Sequence, residues 1–362
     1  MTYDAILLTS FGGPESPEEV MPYLQRVTAG RGVPIERLEE VSHHYLALGG
    51  VSPINQQNRD LLEKLRTRFP ERGIDIPVYW GNRNSEPFFK DVVQEMYEAG
   101  HRNVLAWVTS AYSSYSGCRQ YRENLYQALE DNDLVGKMNI DKVRHYFDHP
   151  GFLAPISVDL NHEVARFKAS GISPAKMKVL FTTHSIPNAM GESSGPVERR
   201  EEFAKPGGAY EAQHLVASEL VMEMLGEPEV SWQLVYQSRS GSPQIPWLEP
   251  DVNDAIRDAK EAGFEAVLVV PIGFVSDHVE VVWDLDNEAK ETAEEVGIGF
   301  KRIRTSGIGD EFVDAIAELV LERTAGGEKK ALSKLGPWAD FCKPGCCPNL
   351  RKDLPWWQKA EP

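Results

Sequence analysis

Short apolar runs separated by longer amphipathic stretches mark most of this chain. Residues 5–8, 78–80, 104–108, 179–181, 234–236 and 267–270 are almost wholly apolar. Runs of that length predict strands buried on both faces, as in a parallel sheet. Between them apolar positions recur at helical spacing, for example over residues 86–98 and 250–261. Such strand–helix alternation predicts an α/β fold with doubly wound parallel sheets.

The pattern also repeats. Segment 78–87 (VYWGNRNSEP) is similar to segment 234–243 (LVYQSRSGSP), and each is followed by a helical stretch ending in Glu-Ala-Gly. The opening run 5–14 (AILLTSFGGP) is similar to 178–187 (KVLFTTHSIP). Two similar halves are expected, over residues 1–160 and 161–308. A helix over 309–325 follows, with Phe312, Ile316, Leu319 and Val320 at core spacing. A tail rich in Lys, Pro, Gly, Cys and Trp covers 326–362 and is expected to wrap the surface as loop. Under the repeat, Phe11 matches His184 and segment 113–117 matches 276–280. Ligands of open α/β sheets bind beyond the carboxyl ends of the strands, so these four segments are expected to line one cleft.

Charge narrows the class. The net charge is −17, which argues against a nucleic-acid partner and against stable attachment to an anionic membrane face. No apolar run is long enough to span a bilayer, and the N-terminus lacks the pattern of a signal peptide; a cytoplasmic monomer is expected.

Two constellations carry chemistry. His184 stands at a predicted strand end, in Thr183-His184-Ser185-Ile186-Pro187. Glu280, Asp284 and Glu288 fall four residues apart along a predicted helix, one above another. Like charges at that spacing destabilise a helix unless a cation sits among them, and a row of carboxylates suits a divalent cation in transit. The second constellation is Cys118 with Cys342, Cys346 and Cys347. Four thiolates fit a [2Fe–2S] cluster or a zinc ion. Adjacent Cys346 and Cys347 reach one group only through irregular backbone.

On these residues the chain resembles a ferrochelatase, up to about Arg323. The pieces that carry the resemblance are segment 183–187, the run from Gly273 to Glu280, and Asp284 and Glu288 beyond it. Segments 49–53, 86–88, 112–116 with Tyr121, and 246–250 support it. The resemblance implies two Rossmann-like, chelatase-type domains related by a pseudo-twofold. It implies insertion of Fe(II), a substrate, into a porphyrin, with His184 and Glu280 meeting the metal and taking protons, and with Asp284 and Glu288 as its path. Porphyrin contacts are expected from Phe11, Arg31, His44, Tyr45, Ser52, Tyr115, Tyr121, Tyr236 and Trp283. Phe11 stands where some family members have a metal-reaching Tyr. Thr28 and His44 stand near positions where some have propionate-holding arginines. The cysteine distribution is similar to that of cluster-bearing members, which favours [2Fe–2S] over zinc. A soluble, cluster-bearing form implies coproporphyrin III as substrate, giving coproheme. The alternatives are protoporphyrin IX, a cobalt or nickel chelatase for another tetrapyrrole, and a non-catalytic tetrapyrrole or metal carrier.

Overall fold

The structure is a computed structural model that describes residues 2–30, 32–240 and 244–351. It contains two four-stranded sheets. The first is built from β1 (Ala5–Ser10), β2 (Val78–Asn82), β3 (Asn103–Val108) and β4 (Asn139–Lys142), in the order β2-β1-β3-β4. The second is built from β5 (Met177–His184), β6 (Ser231–Gln237), β7 (Ala266–Val270) and β8 (Gly299–Arg302), in the order β6-β5-β7-β8. Every neighbouring pair is parallel. The two orders are the same, so the repeat read from the sequence is a repeat of topology. The six apolar runs all lie inside strands. The edge strands β4 and β8 are additional; each contains charged residues, as edges exposed to solvent tolerate.

One detail of the repeat is corrected. The Asn82 N–H donates to the carbonyl of Pro87, and the Tyr236 N–H donates to that of Pro250. Pro87 therefore matches Pro250, not Pro243, and the second half carries a longer loop before its helix. The helices that follow, Phe89–Glu98 and Val252–Glu261, end on the matching Glu-Ala-Gly turns.

Alternation along the strands divides the core. Ala5 and Leu7 of β1 pack with Val104 and Ala106 of β3 into a cluster private to the first half. Leu180 of β5 packs with Val267 and Val269 of β7 into one private to the second. The opposite faces, with Ile6, Leu8 and Trp107 on one sheet and Val179, Phe181 and Leu268 on the other, belong to a single continuous cluster. Helices Pro150–Ala169, Gly208–Leu225 and Asp310–Thr324 contribute to it. The boundary expected at 160/161 thus falls within a helix rather than a linker. Polar contacts lock the same seam. Tyr112 donates to the Ile272 carbonyl at 2.9 Å and stacks on His214, and Ser113 and Gln213 exchange two hydrogen bonds.

A helical hairpin, Pro17–Val27 and Ile35–Ala47, forms its own small cluster through Val20, Tyr23, Leu24, Leu38 and Tyr45. That cluster also takes in Val279 of the second half and Phe11, so the hairpin lies across the space between the halves. No described helix is long and apolar enough to cross a membrane.

Candidate active site

His184 is the last residue of β5, and the strand end is held from several sides. The Ser185 N–H donates to the Gln237 carbonyl and its hydroxyl to the Leu248 carbonyl. Tyr210 donates to the His184 carbonyl at 2.8 Å, while Thr183 lies 2.7 Å from the Tyr210 hydroxyl and 2.9 Å from His214 Nε2. Burial pushes His214 down to about 3, so this support stays neutral. His184 Nδ1 faces the Ser185 carbonyl, which can only accept. Nδ1 therefore carries the proton, and Nε2 of the neutral ring presents a lone pair. Nε2 lies 3.8 Å from Glu280 Oε2, and both side chains are partly open to solvent.

After β7 the chain turns through Pro271 and Gly273. A Cβ on Gly273 would lie 2.5 Å from that of Thr183, so only glycine lets this turn pack against the strand end that carries His184. The Glu280–Glu288 segment differs from the α-helix expected. Only Val279–Val281 is α-helical; Val282–Glu288 is a π-helix, a wider turn that is rare and often functional. Asp284 and Glu288 of the ladder lie along it, and Glu280 lies on the α-helical turn before it. Asp284 accepts hydrogen bonds from Gln237 at 3.2 Å and from Ser238. Burial, with Glu280 and Glu288 adding to it against those hydrogen bonds, pushes Asp284 up to about 7. Glu288 accepts from Trp283 Nε1 at 2.8 Å. Burial lowers His278, against the opposing pull of the Glu280 carboxylate.

The first half supplies the facing wall. Phe11 meets Tyr23 edge-on at 6.4 Å, and Tyr23 leans on Tyr45 at 5.8 Å. Both tyrosines are pushed up, first by burial, with the Glu280 charge adding to it. His44 stacks on Trp283, 4.3 Å between centroids and 7° between planes, joining hairpin to π-helix. Arg83 lies over Tyr121 at 3.8 Å and over Phe11 at 5.4 Å. Tyr45 and Tyr121 are themselves buried, 4% and 3% exposed, and back this wall rather than line it. The remaining expected porphyrin contacts are placed elsewhere. Tyr236 is 2% exposed in the shared core, with its hydroxyl on Glu211, and is withdrawn. A tyrosine inside a strand reads the same in sequence whether it faces core or cleft. Ser52 is buried at the start of helix Pro53–Glu71, beside Gly13. The Tyr115 hydroxyl is engaged with Glu123 and Asn349. Arg31 lies outside the described residues.

The four cysteines are neighbours. Cys118 sits on a short π-helix, Tyr115–Arg119, and the other three arrive on the tail. Cys118 hydrogen-bonds Cys342, Cys342 hydrogen-bonds Cys346, and the Cys346 and Cys347 sulfurs are 4.0 Å apart. Cys347 has φ +47°, the irregular backbone that turns adjacent thiols toward one pocket. The hydrogen bonds from Cys118 and Cys346 hold the Cys342 thiol well below its usual range; the bond to Cys342, with burial, holds Cys118 above it. The Gly195 N–H donates to Cys347 Sγ at 3.2 Å, the kind of sulfur contact that tunes bound clusters. Four buried or half-buried thiols with a backbone donor suit an iron–sulfur group. Among the described residues, no set of three or more His, Cys, Asp or Glu side chains is arranged to grip a metal ion as it stands.

The sequence matches the ferrochelatase family over residues 3–324. The chain belongs to that family. The coproporphyrin III ferrochelatase of Leifsonia xyli subsp. xyli is 49% identical over 360 residues, spanning 97% of this chain and 92% of that protein. That of Streptomyces coelicolor is 50% identical over 357 residues, spanning 96% and 93%. The ferrochelatase of Rhodopirellula baltica is 47% identical over 347 residues, spanning 95% and 93%. Among solved structures, SirB from Bacillus subtilis with Fe3+ superposes with a TM-score of 0.51 at 12% identity, covering 90% of this chain and 97% of that one. That likeness concerns the fold. The family match ends at Thr324, where the last helix ends and the cysteine tail begins.

Several residues of this ferrochelatase cleft escaped the sequence reading. Tyr23 and Arg83 face Phe11, and Ser238 and Gln237 serve Asp284. Arg302 holds the loop before Glu280. Arg83, Gln237 and Ser238 carried a visible signal, because they lie in the repeated segments 78–87 and 234–243; Tyr23 and Arg302 carried none.

Proposed function

We propose that this ferrochelatase inserts Fe(II) into coproporphyrin III, giving the iron coproporphyrin of haem biosynthesis. The observation that carries the substrate is the near-whole-length identity, close to one half, with relatives named coproporphyrin III ferrochelatase. The chemistry of the cleft supports the reaction. A free-base porphyrin must lose two N–H protons as the metal enters. His184 Nε2 and Glu280, 3.8 Å apart, are a base pair of the right types: each accepts a proton, and each is an acceptable ligand for Fe(II). Asp284 and Glu288 continue from Glu280 as a path of anionic oxygens. Phe11, His44 and Trp283, with Tyr45 buried in the hairpin cluster that backs Phe11, provide flat surfaces against which the macrocycle is gripped and bent, so that binding energy is used to expose its nitrogen lone pairs.

Cys118, Cys342, Cys346 and Cys347 would hold a [2Fe–2S] cluster, which supplies one-electron redox capacity when bound. The tail then fixes itself to both halves through Lys343 on Glu198 and Asn349 on Tyr115. The net charge of −17 supports a cytoplasmic enzyme without stable membrane anchoring, and a cleft walled by both halves of one chain supports a monomer.

The deciding experiment compares coproporphyrin III with protoporphyrin IX under anaerobic Fe(II). A higher kcat/KM for coproporphyrin III is expected. Preference for protoporphyrin IX would reassign the substrate. Porphyrin binding without metallated absorbance bands would make the protein a carrier.

A further inference from the structure

Five of the twelve residues from Asp277 to Glu288 are acidic: Asp277, Glu280, Asp284, Asp286 and Glu288. Such a density destabilises a helix unless cations compensate it. Among the described residues one arginine does so, and it touches only two of the five. Arg302, the last residue of β8, reaches Asp277 through Nη1 at 3.1 and 3.2 Å. Its Nε and Nη2 make a two-pronged contact with Asp286 at 2.7 and 2.6 Å. The arginine side chain is 14% exposed. Asp277 is gripped from the first half as well, since its N–H donates to Gln57 Oε1 at 3.0 Å. Glu280, Asp284 and Glu288 form no ion pair with Lys or Arg among the described residues; Glu280 has only His184.

We propose that Arg302 is a positioning residue for metal insertion. By tying Asp277, ahead of Glu280, to Asp286, between Asp284 and Glu288, it fixes the spacing of the three carboxylates left free for Fe(II). The proposal rests on reading those carboxylates as the iron's route. The side-chain type follows from the geometry. The planar guanidinium engages two carboxylates at once from fixed directions, which an ammonium on a flexible stem does not reproduce. Its placement on β8 also explains why a polar edge strand ends here: β7 holds Arg302 in register with Val269, and the side chain extends to the π-helix.

The test uses Arg302→Gln and Arg302→Lys in the full chain, with separate KM values for Fe(II) and porphyrin, kcat, and the thermal midpoint. Supports of metal-handling groups are worth about 10- to 100-fold, so Arg302→Gln should raise the Fe(II) KM by about that factor while leaving the porphyrin KM nearly unchanged. Arg302→Lys should recover only part of the loss. An unchanged Fe(II) KM, or iron and porphyrin constants that worsen together as the midpoint falls, overturns the proposal. Should Arg302→Gln fail to fold, Asp286→Asn removes one arm at the exposed end and must raise the Fe(II) KM alone; if it does not, the proposal fails. Glu288→Gln separates the two layers. No change in its Fe(II) KM rejects the route and the proposal with it. A raised value there, with Arg302→Gln unaffected, rejects Arg302 alone.

Discussion

Replacing Asp284 with asparagine should stabilise the fold and impair the enzyme, with the stabilisation growing as pH rises. Asp284 has an ordinary value of 3.8 and is pushed up to about 7 by burial, assisted by Glu280 and Glu288. Its folded form therefore binds a proton more tightly than its unfolded form. Stability conferred by that proton is present below the unfolded value and is lost as pH rises through the window from 3.8 to about 7. The full difference corresponds to about 4 kcal/mol above pH 7. Between pH 5 and pH 8 the loss is about 2 to 3 kcal/mol. Asparagine keeps an acceptor for Ser238 but has no charge to bury, so Asp284→Asn escapes the loss. Urea unfolding of both proteins at pH 5, 6, 7 and 8 reads the effect directly. The variant's advantage should widen by about 2 to 3 kcal/mol across the series, mostly below pH 7. On the proposed reading of Asp284 as part of the iron's route, the same variant should show a higher KM for Fe(II), because it removes a carboxyl oxygen from that route. A stability gap that is constant with pH, or that favours aspartate at pH 8, would refute the account of a carboxylate crowded by its neighbours.

Two further substitutions probe the supports of the site. Gly273→Ala sets a Cβ 2.1 Å from Thr183 Oγ1, so the turn or the end of β5 must shift. A destabilisation of about 1 to 3 kcal/mol and a lower kcat are expected, read by thermal unfolding and iron insertion; a variant matching the parent in both would show that the contact relaxes freely. Cys342→Ser should abolish the visible absorbance and the protein-bound iron of the purified enzyme, whereas a colourless parent containing zinc would replace the cluster with a zinc site.

Six strands were legible because burial of their faces demands apolar runs, and this holds even for β2 and β6, each at one edge of its sheet. β4 and β8, at the opposite edges, were not, since a strand with one open side need not be apolar and these two are short and charged: Asn139–Lys142 and Gly299–Arg302 look like loop. His184 and Glu280 were legible through the repeat and the ladder, and they lie together. The π-helix was hidden because four-residue spacing is read on the assumption of an α-helical turn. Arg302 was hidden for another reason. Its partners lie 16 and 25 positions away, and only the fold brings them together. The repeat misaligned Pro87 because the second half's longer loop supplies a decoy proline before the structural match at Pro250.

The continuous core between the sheets governs how a macrocycle can enter. Enzymes with two lobes often open like a book, by rotation about a hinge. Here the spine is glued: Ile6, Trp107, Phe181 and Leu268 share one apolar mass, and Tyr112, Ser113, Gln213 and His214 are bonded across it. Rotating the lobes would tear that mass open and strand its polar bonds. The hairpin helices Pro17–Val27 and Ile35–Ala47 are tied to the first half by Tyr23 on the Gly12 carbonyl and Arg26 on the Asn84 carbonyl, and they meet the second half through Val279 and the His44–Trp283 stack. Admission of a flat tetrapyrrole by displacement of this hairpin, rather than by rotation of the lobes, would have to break the His44–Trp283 stack, and the ring N–H of that tryptophan rests on Glu288.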